Sequence, residues 1–202
     1  MKKELVIGLI IVVLIVGGYF IFFSKSGTVI LECEKIKDNS AKITCYKEVA
    51  MERKDLSVCD ALDKNYRESC YVGVAFVKGD ISICENKITN EASKDACFSS
   101  VAATKKDFSI CEKISATYRI ERCYKYVAKE KGNLLECKTF SARREQYCML
   151  GVAVANFDIS ICEELISDGD KEECYVDIAI ETKDSSLCEK AGSWKDFCLE
   201  NI

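Results

Sequence analysis

The chain of 202 residues contains neither histidine nor proline. Without histidine it lacks the commonest general base and the commonest ligand of transition metals. Without proline, no helix interior loses a backbone donor or bends at a ring, so long uninterrupted helices are favoured. No Asn-x-Ser/Thr sequon occurs, so N-glycosylation is not implied. The 29 basic and 33 acidic side chains are interspersed, which provides no basic patch for nucleic acid.

Cysteine, by contrast, is abundant, with 14 residues in a regular arrangement. The interval from Cys45 to Cys59 is 14 residues, the same interval recurs in five further pairs, and the alternate interval varies from 10 to 13. Alternating fixed and variable gaps indicate seven tandem copies of 24 to 27 residues, in which one loop per copy absorbs insertions. We therefore predict an all-α fold, an α-solenoid of about seven helical hairpins over residues 29–202, with a truncated last copy.

Residues 5–23 form an uncharged, largely apolar run near the start of the chain. As a helix this run would extend about 28 Å, which matches the hydrocarbon core of a bilayer. Bulky aromatic residues stand where a signal peptide would carry its small-residue cleavage site, so an uncleaved signal anchor is predicted. The predicted order is a cytoplasmic tail at 1–4, a transmembrane helix at 5–23, a short linker at 24–28 and then the repeats.

The orientation of this predicted span rests on the cysteines, because lysines flank it on both sides and nearly balance. An even number of regularly spaced thiols is typical of an oxidising, extracytoplasmic compartment. We predict a single-pass protein of the cell membrane whose C-terminal domain lies outside the cytosol. In a hyperthermophile a cytosolic domain would remain an alternative, and free buried thiols would then be the leading interpretation.

Each copy repeats two sequence features that predict two helices. The second cysteine opens a phrase such as CYKEVA or CYVGVA, whose apolar residues and alanine form one buried face of a long helix. Ten residues after that cysteine stands Asp or Asn, which favours the N-cap of a second helix, short and about nine residues long. A row of carboxylates that binds a cation is the weaker alternative. The predicted N-caps are Asp55, Asp80, Asp107, Asn133, Asp158 and Asp184.

Helix geometry selects the cysteine pairs. Across the fixed gap the long helix runs about 14 Å beyond its cysteine and the short helix returns only about 6 Å, so the sulfurs differ in height. Across the variable gap both cysteines lie at one level, within the roughly 7 Å Cα separation that a bridge requires. The predicted disulfides are Cys33–Cys45, Cys59–Cys70, Cys84–Cys97, Cys111–Cys123, Cys137–Cys148, Cys162–Cys174 and Cys188–Cys198.

Metal binding and redox catalysis are the competing interpretations of the cysteines. Zinc sites, iron–sulfur clusters and active dithiols typically use close C-x-x-C pairs, which are absent from this sequence. We therefore predict no metal, no cofactor and no catalytic residue.

Other side chains have weaker structural interpretations. The residue after each second cysteine is expected to pack between helices, and where it is tyrosine its hydroxyl is expected to reach water. Trp194 is expected to cover the exposed end of the core. Arg143 and Arg144 make the fifth copy locally basic, which indicates either a docking point or, more simply, drift on a solvated surface. The residues after the second cysteines are Tyr46, Tyr71, Phe98, Tyr124, Met149 and Tyr175.

The phrase C-[YF]-x-x-[VI]-A-x-x-x-x-[DN]-x-x-x-C over residues 29–202 resembles the cysteine-paired helical-hairpin repeats of uncharacterised membrane-anchored or secreted proteins, chiefly of archaea. The plan is also similar to that of Sel1-like cysteine-rich proteins, although the copies here are shorter and their cysteine spacing differs. The resemblance implies an interaction scaffold and names no partner.

Three functions remain open at the level of sequence. The first is a membrane-tethered helical scaffold that binds a protein partner, and the second is a structural spacer or envelope component without a specific ligand. An enzyme is the least supported, because the chain shows no nucleophile elbow and no phosphate loop. A scaffold should carry exposed side chains that depart from the repeat consensus on one face, whereas a spacer should carry interchangeable charges.

Overall fold

The computed structural model describes residues 31–202. The predicted tail at 1–4, transmembrane helix at 5–23 and linker at 24–28 therefore lie outside the described residues. The described part is all-helical and contains no strand. None of its helices is both long and apolar enough to cross a membrane.

Six long helices, each of 15 residues, alternate with short helical segments, and a shorter helix follows at the C-terminal end. Each long helix contains the second cysteine of a copy, and each short segment contains the first. The long helices are α1 (Asn39–Arg53), α2 (Lys64–Lys78), α3 (Glu91–Lys105), α4 (Thr117–Lys131), α5 (Ala142–Asn156) and α6 (Asp168–Thr182), followed by α7 (Lys195–Glu200). The short segments are 31–35, Leu56–Cys59, Ile81–Lys87, Phe108–Lys113, Leu134–Cys137, Ile159–Glu164, and Ser185–Lys190 with Gly192–Trp194.

The described residues form two compact units, and the first ends at Val74, inside α2. In the first unit α1 packs on the short helix Leu56–Cys59. In the second, α4 packs against both α3 and α5, and α5 packs against α6. The alanine five residues after each second cysteine is fully buried, because its small side chain lets the helices approach. These alanines are Ala50, Ala75, Ala102, Ala128, Ala153 and Ala179.

A two-residue turn joins each long helix to the next short one, and it explains the constant interval of 14 residues. In each of the six turns the residue nine after the second cysteine has a positive φ, as at Lys54 and Gly79. In the turn after α1, the next backbone N–H, that of Asp55, donates to the carbonyl of Ala50 at 3.0 Å, as in a Schellman motif. Asp55 also caps the following helix, so the turn has no room for an insertion.

The predicted N-caps all cap a short helix or 3₁₀ helix in the structure. Each side chain accepts a hydrogen bond from the backbone N–H two residues later, at 2.9 to 3.1 Å. In five copies that later residue is serine, whose hydroxyl also donates to the same carboxylate oxygen. In four of these copies, at Asp80, Asp107, Asp158 and Asp184, the serine hydroxyl and the backbone N–H lower the pKa of the aspartate. A motif D-x-S-x-C therefore starts five of the short helices.

The short helices are shorter than the predicted nine residues. The five short helices from Leu56–Cys59 to Ile159–Glu164 contain from four residues, as in Leu56–Cys59, to seven, as in Ile81–Lys87. In three copies the helix ends because a buried apolar residue, three or four positions after the first cysteine, takes an extended conformation. Ile88, Ile114 and Leu165 occupy this place, and each is at most 4% exposed.

Replacing Phe157 with glycine is expected to stabilise the protein by about 1 kcal/mol, because a left-handed conformation costs a side-chain-bearing residue about 1–2 kcal/mol and glycine adopts it freely. Phe157 has φ 54° and is 54% exposed, so little packing is lost. Guanidinium unfolding should show the gain for Phe157→Gly and not for Phe157→Ala, which keeps the unfavourable φ. Equal stabilities of the two variants would contradict a strained turn.

Candidate binding surface

The cysteines are structural. Seven disulfides join the pairs predicted from the spacing, each within one hairpin, with Cα–Cα distances of 5.4 to 5.7 Å. No cysteine is free, and thirteen of the half-cystines are buried while Cys45 is partly exposed. Residues 31–202 contain no group of three or more His, Cys, Asp or Glu side chains able to hold a metal ion.

The hydroxyl groups of four repeated tyrosines donate to carboxylates. In four copies the hydroxyl of the tyrosine after the second cysteine donates to the acidic residue after the first cysteine of the same hairpin. The pair Tyr124–Glu112 has an oxygen–oxygen distance of 2.8 Å. Burial, followed by this carboxylate, raises the pKa of Tyr124 to about 12, so the hydroxyl remains a donor at neutral pH. The four pairs are Tyr46–Glu34, Tyr71–Asp60, Tyr124–Glu112 and Tyr175–Glu163.

A signal for these pairs is present in the sequence, since the residue after the first cysteine is acidic wherever the residue after the second is tyrosine. The fifth copy replaces both members, with Lys138 and Met149. There the lysine nitrogen lies 3.9 Å from the methionine sulfur and 3.2 Å from a carboxylate oxygen of Glu145. The apparent irregularity of the fifth copy is thus a matched exchange of both partners.

Ion pairs connect consecutive copies within the second unit. Arg144 contacts Glu112 at 2.9 Å, and Arg143 contacts Asp170 at 2.5 Å. Each of these two arginines therefore joins its own copy to a neighbouring copy. Buried polar side chains do the same: the Asp95 carboxylate accepts from the backbone N–H of Ser115 at 2.9 Å, and Gln146 accepts from that of Ile166 at 2.8 Å.

One face of the long helices in the second unit differs from copy to copy. It consists of the residues one before and two, three and six after each second cysteine, and we call it the variable face. It is small or hydroxylated on α3, basic and aromatic on α4, apolar on α5, and acidic and apolar on α6. Its residues are Ala96, Ser99, Ser100, Ala103, Arg122, Lys125, Tyr126, Lys129, Tyr147, Leu150, Gly151, Val154, Glu173, Val176, Asp177 and Ile180.

A cavity of about 480 Å³ lies on the variable face between α4, α5 and α6. Lys125, only 6% exposed, reaches across α5 to α6, where its amino group pairs with Asp177 and, at 2.5 Å, with Glu173. Burial alone would lower the pKa of Lys125, but the carboxylates of Asp177 and Glu173 together raise it, so the amino group stays charged. The charged groups at the floor of this cavity thus satisfy one another.

The fourth and sixth copies can meet over α5 because α5 presents no side chain at Gly151. A Cβ atom at Gly151 would overlap the backbone carbonyl of Lys125 and would lie 2.9 Å from the Cβ of Ala128. The backbones of α4 and α5 are therefore in direct contact here, which is the reason that only glycine fits at this point. A long lysine on α4 can then span the narrow α5 and contact α6.

Exposed aromatic side chains surround this face. Tyr126 lines both the 480 Å³ cavity and a neighbouring cavity of about 430 Å³. Residues of α3 and the side chain of Phe76 also line this second cavity. Trp194 and Phe197 border the first cavity, with ring centroids 5.8 Å apart. Trp194 does not cover the end of the core as predicted, because Ile180, Leu187 and Ile202 occupy that place. Its indole is half exposed instead, at the edge of the cavity.

Replacing Lys125 with methionine is expected to destabilise the protein by about 2 kcal/mol, because two carboxylates on α6 lose their shared cation. The cost lies below that of a fully buried pair, since the Glu173 and Asp177 side chains are 35% and 30% exposed and rehydrate. Lys129 pairs with Glu181 at 2.6 Å one helical turn away, with both side chains more exposed. Lys129→Met is the matched control and should cost less than about 1 kcal/mol in urea unfolding. Equal costs would mean that Lys125 does not connect the copies.

Comparison with protein-family models, curated proteins and solved structures finds no match to the chain. What the variable face does must therefore be inferred from its own residues.

Proposed function

We propose that the protein is a membrane-anchored, extracytoplasmic α-solenoid that acts as a scaffold and binds a protein partner on its variable face. The observation that carries this proposal is the departure of that face from the repeat consensus. The buried residues four and five positions after each second cysteine repeat as Val or Ile and as Ala in all six long helices, whereas the variable face, part of which is also buried, changes from small to basic, apolar and acidic along consecutive helices. A spacer would require only solubility on all faces, and exposed aromatic residues beside cavities would serve no purpose in it.

Two features support the proposed location of the scaffold in the cell. The apolar run at 5–23 has the length of a single bilayer span, and seven disulfides favour an oxidising space outside the cytosol. Together they would hold the repeats near the outer surface of the cell membrane. A structural spacer in the envelope is the second candidate, favoured by the rigid disulfide-linked hairpins themselves.

Site-specific photo-crosslinking in intact cells tests the proposal. A photoreactive phenylalanine analogue replaces Tyr126 on the variable face or, as the control, Leu135, which is 82% exposed on a short helix and lines none of the cavities. A scaffold should give a discrete, reproducible adduct from position 126 and none from position 135. Adducts absent from both positions, or equal at both, would favour the spacer.

A further inference from the structure

Resting on the proposed scaffold, we infer the chemistry of its partner: the groove between α3 and α4 takes an acidic protein segment, with a carboxylate on Arg122 and apolar side chains against the aromatic walls. The groove comprises two adjoining cavities of about 430 and 390 Å³, which share Ala96, Ser99 and Tyr126. The short side chains of α3 form its floor. Both volumes lie in the range of natural binding pockets, about 300–1,000 Å³.

Arg122 is the cation of this groove without an ion pair, although Tyr126 and, at longer range, the carboxylate of Glu173 raise its pKa. Its guanidinium is exposed and donates to the hydroxyl of Tyr126 at 3.1 Å, and no carboxylate of residues 31–202 lies within 4.0 Å of it. A guanidinium has five N–H donors in a planar fork that suits a carboxylate, and the hydroxyl of Tyr126 engages only one of its nitrogens. The bond to Tyr126 holds the fork in place.

The neighbouring cation, by contrast, is already bound within the fold. Arg119 donates to the hydroxyl of Tyr118 at 2.7 Å and to the backbone carbonyl of Ala92 at 2.9 Å. The nearby Asp95 carboxylate is buried and accepts from backbone N–H groups of the next loop, so it does not neutralise Arg122. Arg119 therefore fixes the ring of Tyr118 at the edge of the groove and leaves Arg122 to bind an anion.

Three aromatic rings border the groove and are exposed. Tyr118, Tyr126 and Phe76 are 58%, 39% and 47% exposed. Large rigid side chains of this kind lose little entropy on binding and act as anchors at protein interfaces. Their presence around a single guanidinium without an ion pair matches a segment in which one or two carboxylates alternate with aliphatic or aromatic residues.

The charges nearby exclude a polyanion. Glu130 lies at the groove, and Glu173, Asp177 and Glu181 line the adjoining cavity. Lys125 and Lys129 already pair with the carboxylates of the adjoining cavity, so Arg122 is left as a single cation, and the net charge of −4 on the whole chain disfavours the closely spaced phosphates of a nucleic acid or an anionic membrane surface. One carboxylate at a time is what the face can accept.

The test is a selection from a random 12-residue peptide library on the full chain in lipid nanodiscs. Selected peptides should be enriched in Asp and Glu next to Leu, Phe, Tyr or Trp. A synthetic peptide of the consensus should bind about 10-fold more weakly to Arg122→Gln and to Tyr126→Ala, since a charge-assisted hydrogen bond or a buried aromatic anchor is lost in each. Raising the salt concentration should also weaken the binding of the peptide to the unmodified chain.

Lys87→Gln is the matched control, because Lys87 is an exposed cation outside the groove, and it should leave the affinity unchanged. Circular dichroism of each variant checks that the fold is kept. Peptides without acidic enrichment, binding insensitive to Arg122→Gln, or no selected peptide would overturn the inference. A dimer of the chain that Arg122→Gln dissociates would assign the groove to a second copy and would also overturn it.

The two proposals fail in different ways. If position 126 crosslinks a partner in cells while the peptide selection shows no acidic preference, the scaffold stands and the partner chemistry assigned to Arg122 is wrong. If position 126 gives no adduct, the scaffold itself is wrong.

Discussion

Reducing all seven disulfides is expected to unfold the domain at 25 °C. Each bridge closes a loop of 10 to 13 residues. In the chain-entropy model such a bridge contributes about 3 kcal/mol, or together about 20 kcal/mol. A domain of this size has a net stability of about 5–15 kcal/mol, so packing alone does not replace the bridges. Far-UV circular dichroism should lose most of its helical signal in a strong phosphine reductant and recover it on reoxidation.

Removing one bridge provides the control for this experiment. Cys188→Ala with Cys198→Ala opens only the last hairpin, whose half-cystines pack with Val176, Ala179 and Ala191. The double variant should lose about 3 kcal/mol and the helical signal of α7 alone. A fully reduced protein that kept its helical signal would show that packing between copies, and not the bridges, holds the fold.

Gly151→Ala is expected to cost about 3 kcal/mol, because the added methyl group would overlap the backbone carbonyl of Lys125 and force α5 away from α4. No rotamer change can relieve an overlap with backbone. The displacement would also weaken the contact of Lys125 with α6, so the loss of stability should be accompanied by a change in the cavity on the variable face. Guanidinium unfolding, followed by circular dichroism, measures the cost.

Gly73→Ala is the matched control, since Gly73 stands at the same place in its copy, three residues after the second cysteine. There a Cβ atom would lie 2.7 Å from the sulfur of Met51, a flexible side chain that can move. Alanine is favoured over glycine in a helix by about 1 kcal/mol, so this variant should be neutral or more stable. Two equal losses would refute the close approach of α4 and α5.

Much of one hairpin follows from local chemistry and was predictable. The spacing of the cysteines specifies their pairs, because helix rise and the reach of a disulfide leave one register. Asp55 and its counterparts indicate the start of a helix, because the side-chain oxygen of an N-cap residue accepts a hydrogen bond from an otherwise unpaired backbone N–H of the first turn. The hydrogen bond between Tyr124 and Glu112 was missed. In this copy and in three others, an acidic residue directly follows the first cysteine and a tyrosine directly follows the second. Hydroxyl and carboxylate at matched places should have indicated a hydrogen bond.

Other features could not be read from one copy. The left-handed turn uses lysine or phenylalanine in four copies, residues that carry no signal for a positive φ, and only Gly79 and Gly132 hint at it. The contact of Lys125 with Glu173 joins residues 48 positions apart, across a helix whose glycine permits it. The variable face depends on such contacts between copies. It emerges only when the long helices are packed together.

The most direct test of the proposed disulfide-linked extracytoplasmic scaffold is alkylation of thiols in intact cells, followed by intact-mass measurement of the purified chain with and without prior reduction. Seven bridges outside the cytosol predict no alkyl group on the unreduced chain and 14 after reduction, one on each cysteine. Substantial alkylation of the unreduced chain would contradict both the bridges and the compartment.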